Sequence, residues 1–184
     1  MLKVLKPYEF HVASKEKVLI HGPSGSGKST FMKSFLGLSK NLHQDVEVLW
    51  KNEKVTDFPS FRSQICSICL QDLNLIDGMT VKDQFLLRSL PYSDFKELSL
   101  DKNIEKLSEG QKQKLAFYLY LHKPHEILFL DEPTSSLDTL SAQNIFQQIA
   151  HHDKSTVVIS HDLRWKHLFD RVVSIDEIQI QRPT

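Results

Sequence analysis

The sequence lacks a net charge, has almost no cysteine and contains no long apolar run. Lys and Arg total 23 and Asp and Glu total 23, so nothing indicates the basic surface of a nucleic-acid binder. The short basic cluster at residues 112–114 is expected to be a solvated helix face. No apolar stretch approaches the roughly 20 residues that cross a bilayer, and the first residues lack the apolar segment of a secretory signal. We therefore expect one cytoplasmic domain of 184 residues without a nucleic-acid partner.

The only two cysteines are Cys66 and Cys69. A structural zinc site needs about four ligands, and no second pair or suitably spaced histidines accompany them. Both cysteines lie in an apolar segment, where residues three apart point to opposite faces of a strand. This spacing favours two reduced, buried thiols over the alternative, a redox pair.

A glycine-rich segment at residues 22–29 fits the phosphate-loop pattern G-x-x-x-x-G-K-[ST]. The apolar residues 18–21 before it predict a buried strand, and residues 29–38 predict a helix. Its backbone N–H groups and the helix N-terminus suit phosphate oxygens. Lys28 is expected to reach the β- and γ-phosphates, and Ser29 to offer a hydroxyl to Mg²⁺.

The helix after this loop carries several apolar residues available for its inner face. They are Phe31, Phe35, Leu36 and Leu38. Their spacing predicts that the helix packs against the sheet and extends to about residue 38.

A continuous apolar run at residues 127–130 ends in two carboxylates. Such a run is typical of a strand buried on both faces of a parallel sheet, whose carboxyl edge is where ligands bind. Asp131 is expected to hold Mg²⁺ through water. Glu132 is expected to orient or deprotonate the attacking water.

A third motif, LSEGQ at residues 107–111, predicts a helix start. Ser108 and Gln111 form a pattern that caps a helix reciprocally, and the helix is expected to run to about residue 121. Gly110 allows a close approach to the helix N-terminus, which is a second anion site. Because one triphosphate needs only one phosphate loop, this second site suggests a nucleotide held by another subunit.

The three motifs in this order resemble an ATP-binding cassette (ABC) ATPase over nearly the whole chain. The resemblance implies a second cassette as partner, either another copy of this chain or a different chain. In that family two cassettes pair head to tail, and each signature helix closes on the nucleotide in its partner's phosphate loop. The resemblance implies that Gln71 is the Q-loop glutamine, which contacts magnesium and senses the transport partner. It also implies that residues 135–138 form the D-loop at the dimer interface and that His161 is the switch histidine at the γ-phosphate.

These motifs and the resemblance give the expected site and its ligands, ATP and Mg²⁺. Glu132, His161 and Lys28 are expected to be catalytic, and Ser29, Gln71 and Asp131 to hold the metal. The residues expected to contact nucleotide are Gly22, Pro23, Ser24, Gly25, Ser26, Gly27, Lys28, Ser29, Thr30, Gln71, Ser108, Gly110, Gln111 and Asp138.

The expected fold is an α/β, RecA-like P-loop NTPase core with a small antiparallel β region and a short inserted α-helical subdomain. Residues 1–184 form one ABC ATPase domain, in which residues 1–71 and 114–184 make the core. Residues 72–113 make the helical subdomain with the signature motif.

The sequence departs from the family pattern at three places. Glu109 stands where glycine is commonest in the signature, and its carboxylate is unfavourable near phosphate unless it points outward. The arginine often found in the signature helix is replaced around residues 118–120. Tyr8 is too close to the phosphate loop to be the usual adenine-stacking aromatic and Phe10 is expected in a strand core, so adenine recognition is expected to be weak.

The leading functional hypothesis is an ATPase subunit that drives a separate membrane permease, peripheral on the inner face of the cell membrane. Residues 71–81 look most like cassettes of the lipoprotein-release and macrolide-exporter type. The alternative is a soluble ABC-type ATPase acting on a nucleic-acid or ribosomal partner. A P-loop kinase or a plain nucleotide-binding module leaves residues 108–111 and His161 without a role.

Overall fold

The computed structural model describes residues 1–6, 10–38 and 46–180. Tyr8, weighed above as an adenine contact, lies outside these residues. The strands are β1 Leu2–Lys6, β2 Phe10–Val12, β3 Lys17–His21, β4 Glu47–Trp50, β5 Glu53–Lys54, β6 Cys66–Cys69, β7 Ile127–Asp131, β8 Ser155–Ile159 and β9 Arg171–Ser174. The α-helices are α1 Lys28–Phe35, α2 Phe58–Gln64, α3 Val81–Leu87, α4 Glu109–His122, α5 Thr139–His151 and α6 Ile175–Ile180. Two 3₁₀ helices span Ile104–Lys106 and Leu163–Leu168.

Two sheets organise the described residues. Five strands pair in the order β6-β7-β8-β3-β9, and every pairing between them is parallel. The other four strands form an antiparallel sheet in the order β2-β1-β4-β5. The predicted α/β fold with a parallel core and a small antiparallel region is therefore confirmed.

Strand β7 lies inside the parallel sheet, and all five of its residues are buried. On one face Phe129 packs against Phe35 of α1, with 5.5 Å between the ring centroids. On the other face Leu128 joins a cluster that includes Phe117 of α4 and Phe146 of α5. Helices therefore cover both faces, which explains why the strand reads as continuously apolar.

The two cysteines lie in β6 on opposite faces of the sheet, as their spacing predicted. Both thiols are free and buried, and they belong to different apolar clusters. Burial raises the pKa of Cys66 and of Cys69 to about 12. The thiols are therefore protonated at neutral pH, which does not favour redox chemistry because the thiolate is the reactive form.

Helix α4 joins the core to a helical cluster formed around α3. Leu115 and Leu119 pack with Phe85 of α3 in that cluster. Ala116 and Phe117, on the adjoining face of α4, pack against the parallel sheet. The helix runs without a break across residues 113 and 114, where the sequence placed the limit of the helical subdomain.

The helix after the phosphate loop is shorter than predicted. It ends at Phe35, and Gly37 follows with a φ of 70°, a left-handed conformation that closes the helix. Phe31, Phe35 and Leu36 are buried as expected. The prediction for Leu38 was wrong, because it lies beyond the helix end and is 40% exposed.

His125 and His152 form a stacked pair at the edge of the sheet opposite the carboxyl ends of the strands. Their rings are parallel within 4° and their centroids lie 5.1 Å apart. The Nδ1 atom of His152 accepts a hydrogen bond from the Lys154 backbone, which requires an unprotonated nitrogen. Burial lowers the pKa of both imidazoles below the ordinary value of 6.5, and for His152 the neighbouring His125 lowers it further.

This pair predicts that the protein becomes less stable as the pH falls below 6.5. In that range the unfolded chain binds protons that the folded chain excludes, so the free energy of unfolding decreases; above it the effect vanishes. We expect His125→Gln to lose less stability than the parent between about pH 7.5 and about pH 5.5 in urea unfolding. The control is His167→Gln, the same substitution at an exposed histidine. Equal losses in all three proteins would contradict this account.

Candidate functional site

The phosphate loop connects the end of β3 to the start of α1. Gly27 is the residue before the helix and has a φ of 90°, a conformation in which a side chain is strained. The next residue, Lys28, is 7% exposed and lies under the loop. Its Nζ donates hydrogen bonds to Gly22 O at 2.9 Å and to Pro23 O at 2.8 Å. Lys28 therefore ties the end of the loop back to its beginning and places a buried positive charge beneath it.

Asp131 lies at the carboxyl end of β7 and faces Ser29 across the loop. It is 3% exposed, and its Oδ1 atom is buried without a hydrogen-bond partner among the described residues. Burial raises the pKa of Asp131, the Ser29 hydroxyl lowers it in part, and Glu132 raises it further. A buried carboxylate oxygen without a partner, next to a serine hydroxyl, fits Mg²⁺, which takes few protein ligands beside phosphate and water.

Glu132 follows Asp131 and adopts a φ of 51°. Its side chain is 10% exposed and accepts hydrogen bonds from His161 at both the backbone N, 3.1 Å, and the ring Nδ1, 2.9 Å. Because an ionised carboxylate only accepts hydrogen bonds, Nδ1 carries the proton in this arrangement. The His161 side chain is 68% exposed. The imidazole is thus held at one nitrogen and open to the cleft on its other side.

These groups line one cleft of about 370 Å³ at the carboxyl edge of the parallel sheet. Its lining residues come from the phosphate loop and from the ends of β6, β7 and β8. They are Ser24, Gly25, Ser26, Gly27, Lys28, Ser29, Thr30, Gln71, Asp131, Glu132, Ser135 and His161. The volume suits a small-molecule ligand, and the position is where parallel sheets bind ligands.

The remaining residues of the predicted site lie outside this cleft. Gly22 and Pro23 act on it indirectly, through the carbonyl groups that hold Lys28. Ser108 and Gln111 form the predicted capping box at the start of α4, with Gln111 N donating to Ser108 Oγ at 3.2 Å. Asp138 caps α5 by accepting from Ser141 N at 2.9 Å.

The carboxylate of Glu109 is paired with a lysine of the same helix. Its carboxylate accepts a hydrogen bond from Lys112 Nζ at 2.9 Å, one helical turn further along α4, and its side chain is 73% exposed. Exposed pairs of this kind contribute little stability. The exposure of the Glu109 side chain agrees with the outward orientation that the sequence analysis required.

Two residues at the site were absent from the predicted set. Ser135 lines the cleft, and residues 135–138 had been assigned only to the D-loop. Gln113 is 6% exposed and donates from Nε2 to Glu132 O at 2.9 Å. The expectation of a solvated face at residues 112–114 was wrong for Gln113, because that expectation ignored the loop packed over it.

Comparison with known proteins agrees with this fold. The family model described as ABC transporter matches residues 5–135. The bacitracin export ATP-binding protein BceA of Halalkalibacterium halodurans is 30% identical over 202 residues, covering 97% of this chain and 79% of the relative. The ABC transporter F family member 2 of Arabidopsis thaliana is 32% identical over 168 residues, and this chain spans only 24% of its length. A second Arabidopsis relative, F family member 5, is 27% identical, and the chain spans 26% of it.

Solved structures show the same fold. A dimeric ATP-binding cassette in a post-hydrolysis state, bound to ADP and Pi, superposes with a TM-score of 0.78 at 24% identity, covering 95% of this chain and 94% of that one. A bacterial Atm1-family ABC exporter with ATP bound gives a TM-score of 0.76 at 25% identity, covering 91% of this chain and 33% of that one.

The fold is that of a P-loop cassette ATPase, and the chain belongs to the ABC transporter family. As a cassette of this family it is an ATPase whose ligands are ATP and Mg²⁺. The predictions of family, fold and ATPase activity are therefore confirmed.

Lys28→Ala should weaken ATP binding by at least about tenfold and abolish hydrolysis, because it removes the charged donor at the phosphates and the hydrogen bonds that tie the loop together. Isothermal titration and phosphate release measure the two effects. The control is Lys51→Ala, since Lys51 is a surface residue paired with Glu126. A Lys28 variant that binds and turns over ATP like the parent would show that the phosphate loop is wrongly assigned.

Proposed function

We propose that this cassette binds Mg-ATP in the cleft, hydrolyses it together with a second copy of the chain, and so drives a separate membrane permease. The observation that carries the proposal is the convergence in one cleft of a phosphate-loop lysine, a buried carboxylate with one unpartnered oxygen, and a glutamate held by a histidine. These are the groups that phosphoryl transfer to water needs.

The triphosphate would lie along the loop, with Lys28 at the β- and γ-phosphates and the N–H groups of residues 24–30 around them. Ser29 and Asp131 would hold Mg²⁺, with Gln71 at the cleft edge as a further oxygen ligand. When bound, the metal supplies positive charge that neutralises the phosphate oxygens and so favours attack.

Glu132 would act on the attacking water. Its carboxylate accepts the proton of that water, or orients it, while the oxygen attacks the γ-phosphorus and the bond to the β-phosphate oxygen breaks. The two bonds from His161 fix this carboxylate in one orientation. The accessible side of the His161 ring is then free to contact the γ-phosphate.

A second cassette would complete the site with its signature. The N-terminus of α4, a helix of fourteen residues, carries Ser108 at its exposed end and is suited to an anion. Ser108 does not line the cleft that the phosphate loop of the same chain forms. Leu140, two residues after Asp138, is 73% exposed, and a partner packed over the D-loop would cover it.

Coupling to a permease would use an exposed apolar surface formed by Ile76, Leu86 and Leu87, which are 42%, 54% and 54% exposed. Arg88 at the end of α3 donates to Asn74 O at 2.7 Å, so the helix end lies against the segment that follows Gln71. In the described residues no helix is long and apolar enough to cross a membrane. BceA, named for bacitracin export, supports a transport role.

This role predicts that the tagged chain, purified from detergent-solubilised membranes, brings down a polytopic membrane protein identified by mass spectrometry. Leu87→Asp should remove that protein, because it places a charge in the apolar surface. Leu163→Asp is the control, since Leu163 is exposed to 40% but lies outside this surface. Equal recovery of the membrane protein with both variants would contradict the proposed coupling surface. Recovery of ribosomes or nucleic acid in place of a membrane protein would contradict the transport role and favour the soluble alternative.

A further inference from the structure

Gln113, the fifth residue of α4, makes three hydrogen bonds through its side-chain amide to the loop of residues 132–136. Its Nε2 donates to Glu132 O at 2.9 Å and to Ser135 Oγ at 3.1 Å. Its Oε1 accepts from Ser136 N at 2.8 Å. A carbonyl only accepts and a backbone N–H only donates, so a single orientation of the amide satisfies all three bonds. The side chain is thus a fixed link between α4 and this loop.

A second contact lies one turn nearer the start of the helix. A Cβ at Gly110 would lie 2.9 Å from Ser136 O, closer than side-chain carbons approach such atoms. Gly110 and Gln113 are three residues apart and therefore share a face of α4. The signature end of the helix is packed closely against the loop at Gly110 and hydrogen-bonded to it at Gln113. A shift of that end must move the backbone of the loop.

The backbone that Gln113 holds is that of the proposed catalytic glutamate. Glu132 has a φ of 51°, which costs a residue with a side chain free energy and persists only where its surroundings enforce it. Its N–H donates to Ile159 O at 2.9 Å, and its carbonyl accepts from Gln113. Pro133 follows and further restricts Glu132. The Glu132 carbonyl also accepts from Ser135 N at 3.3 Å, so Gln113 supplies one of three hydrogen bonds that fix the Glu132 backbone, from which the side chain projects.

We propose that Gln113 is a positioning residue for Glu132, which links the signature end of α4 to the glutamate of the same chain's cleft. The inference rests on the proposed function, in which the signature contacts the partner's nucleotide. Closure of the signature on that nucleotide would be transmitted through Gln113 to Glu132. Each cleft would then be set for hydrolysis only when the neighbouring nucleotide is in place.

The first test is Gln113→Met, which keeps the length of the side chain and removes its donors and acceptor. We expect kcat to fall by about 10- to 100-fold while KM and the ATP dissociation constant stay within about twofold, because no group that holds the triphosphate changes. A residue with a merely structural role would not separate kcat from KM. Gln113→Glu is the second variant, in case the first fails to fold. It keeps the bond from Ser136 N but cannot donate to Glu132 O, so the same fall is expected.

The matched control is Gln84→Met. Gln84 is also a fully buried glutamine on a helix of this chain, and its amide donates to Ile76 O at 2.9 Å and accepts from Ile76 N at 3.3 Å. Its loss removes a similar buried amide without touching residues 132–136. We expect a similar decrease in Tm for both methionine variants and an unchanged kcat for Gln84→Met alone.

The decisive test combines Gln113→Met with Glu132→Gln in single-turnover hydrolysis of labelled ATP. If Gln113 acts through Glu132, its loss changes the rate of the Glu132→Gln protein by less than about twofold, whereas an independent role would repeat the full decrease. Equal decreases in both backgrounds, or a Gln113→Met kcat within about twofold of the parent, would overturn the inference. A parent without ATP turnover would instead overturn the proposed function, so the two failures are distinguishable.

Discussion

Charge balance in the cleft is the constraint on which the rest of the structure depends. Among the described residues that line it, Lys28 is the only lysine or arginine, and it faces the carboxylates of Asp131 and Glu132. A triphosphate is a polyanion, and one buried ammonium beside two carboxylates does not neutralise it. In the proposed function the balance comes from Mg²⁺ at Asp131 and Ser29, from the N–H groups of the loop, and from a second helix N-terminus outside the chain's own cleft. This need explains why an acidic cleft and a separate, capped anion site occur in one small cassette.

The parallel sheet brings the residues of the cleft together. Strands β3, β6, β7 and β8 all end at the same edge, so residues distant in sequence come together without long loops. Burial of β7 on both faces fixes Asp131, and the turn after it fixes Glu132. Helix α4, whose N-terminus is the proposed second anion site, contacts both the sheet and the α3 cluster, so its position links the helical region to the core.

Much of the fold and of the candidate site could be predicted from the sequence because the relevant signals are local. The apolar run at residues 127–130 predicted a buried strand, and the capping box at Ser108 joins residues only three apart. The gathering of residues from the phosphate loop and three strand ends in one cleft follows from parallel strands sharing an edge. The individual roles assigned to these residues stay predictions, and the experiments above test them.

What the sequence did not predict depends on tertiary packing. Gln113 lies between two lysines and reads as part of a solvated face, and only the distant loop of residues 132–136 buries it. The stacking of His125 on His152 likewise joins two loops that share no motif. Leu38 was misplaced because Gly37 ends the helix before it.

The central claim, that one triphosphate is held between two copies of this chain, is tested most directly by trapping the closed pair. Glu132→Gln removes the base but leaves a hydrogen-bond acceptor, so hydrolysis should slow by orders of magnitude while ATP remains bound. With Mg-ATP, gel filtration should then show a shift from monomer to dimer. Adding Ser108→Arg should restore the monomer, because it blocks the anion site on α4 without altering the phosphate loop. A Glu132→Gln protein that stays monomeric with saturating Mg-ATP, or a dimer that survives Ser108→Arg, would contradict the account.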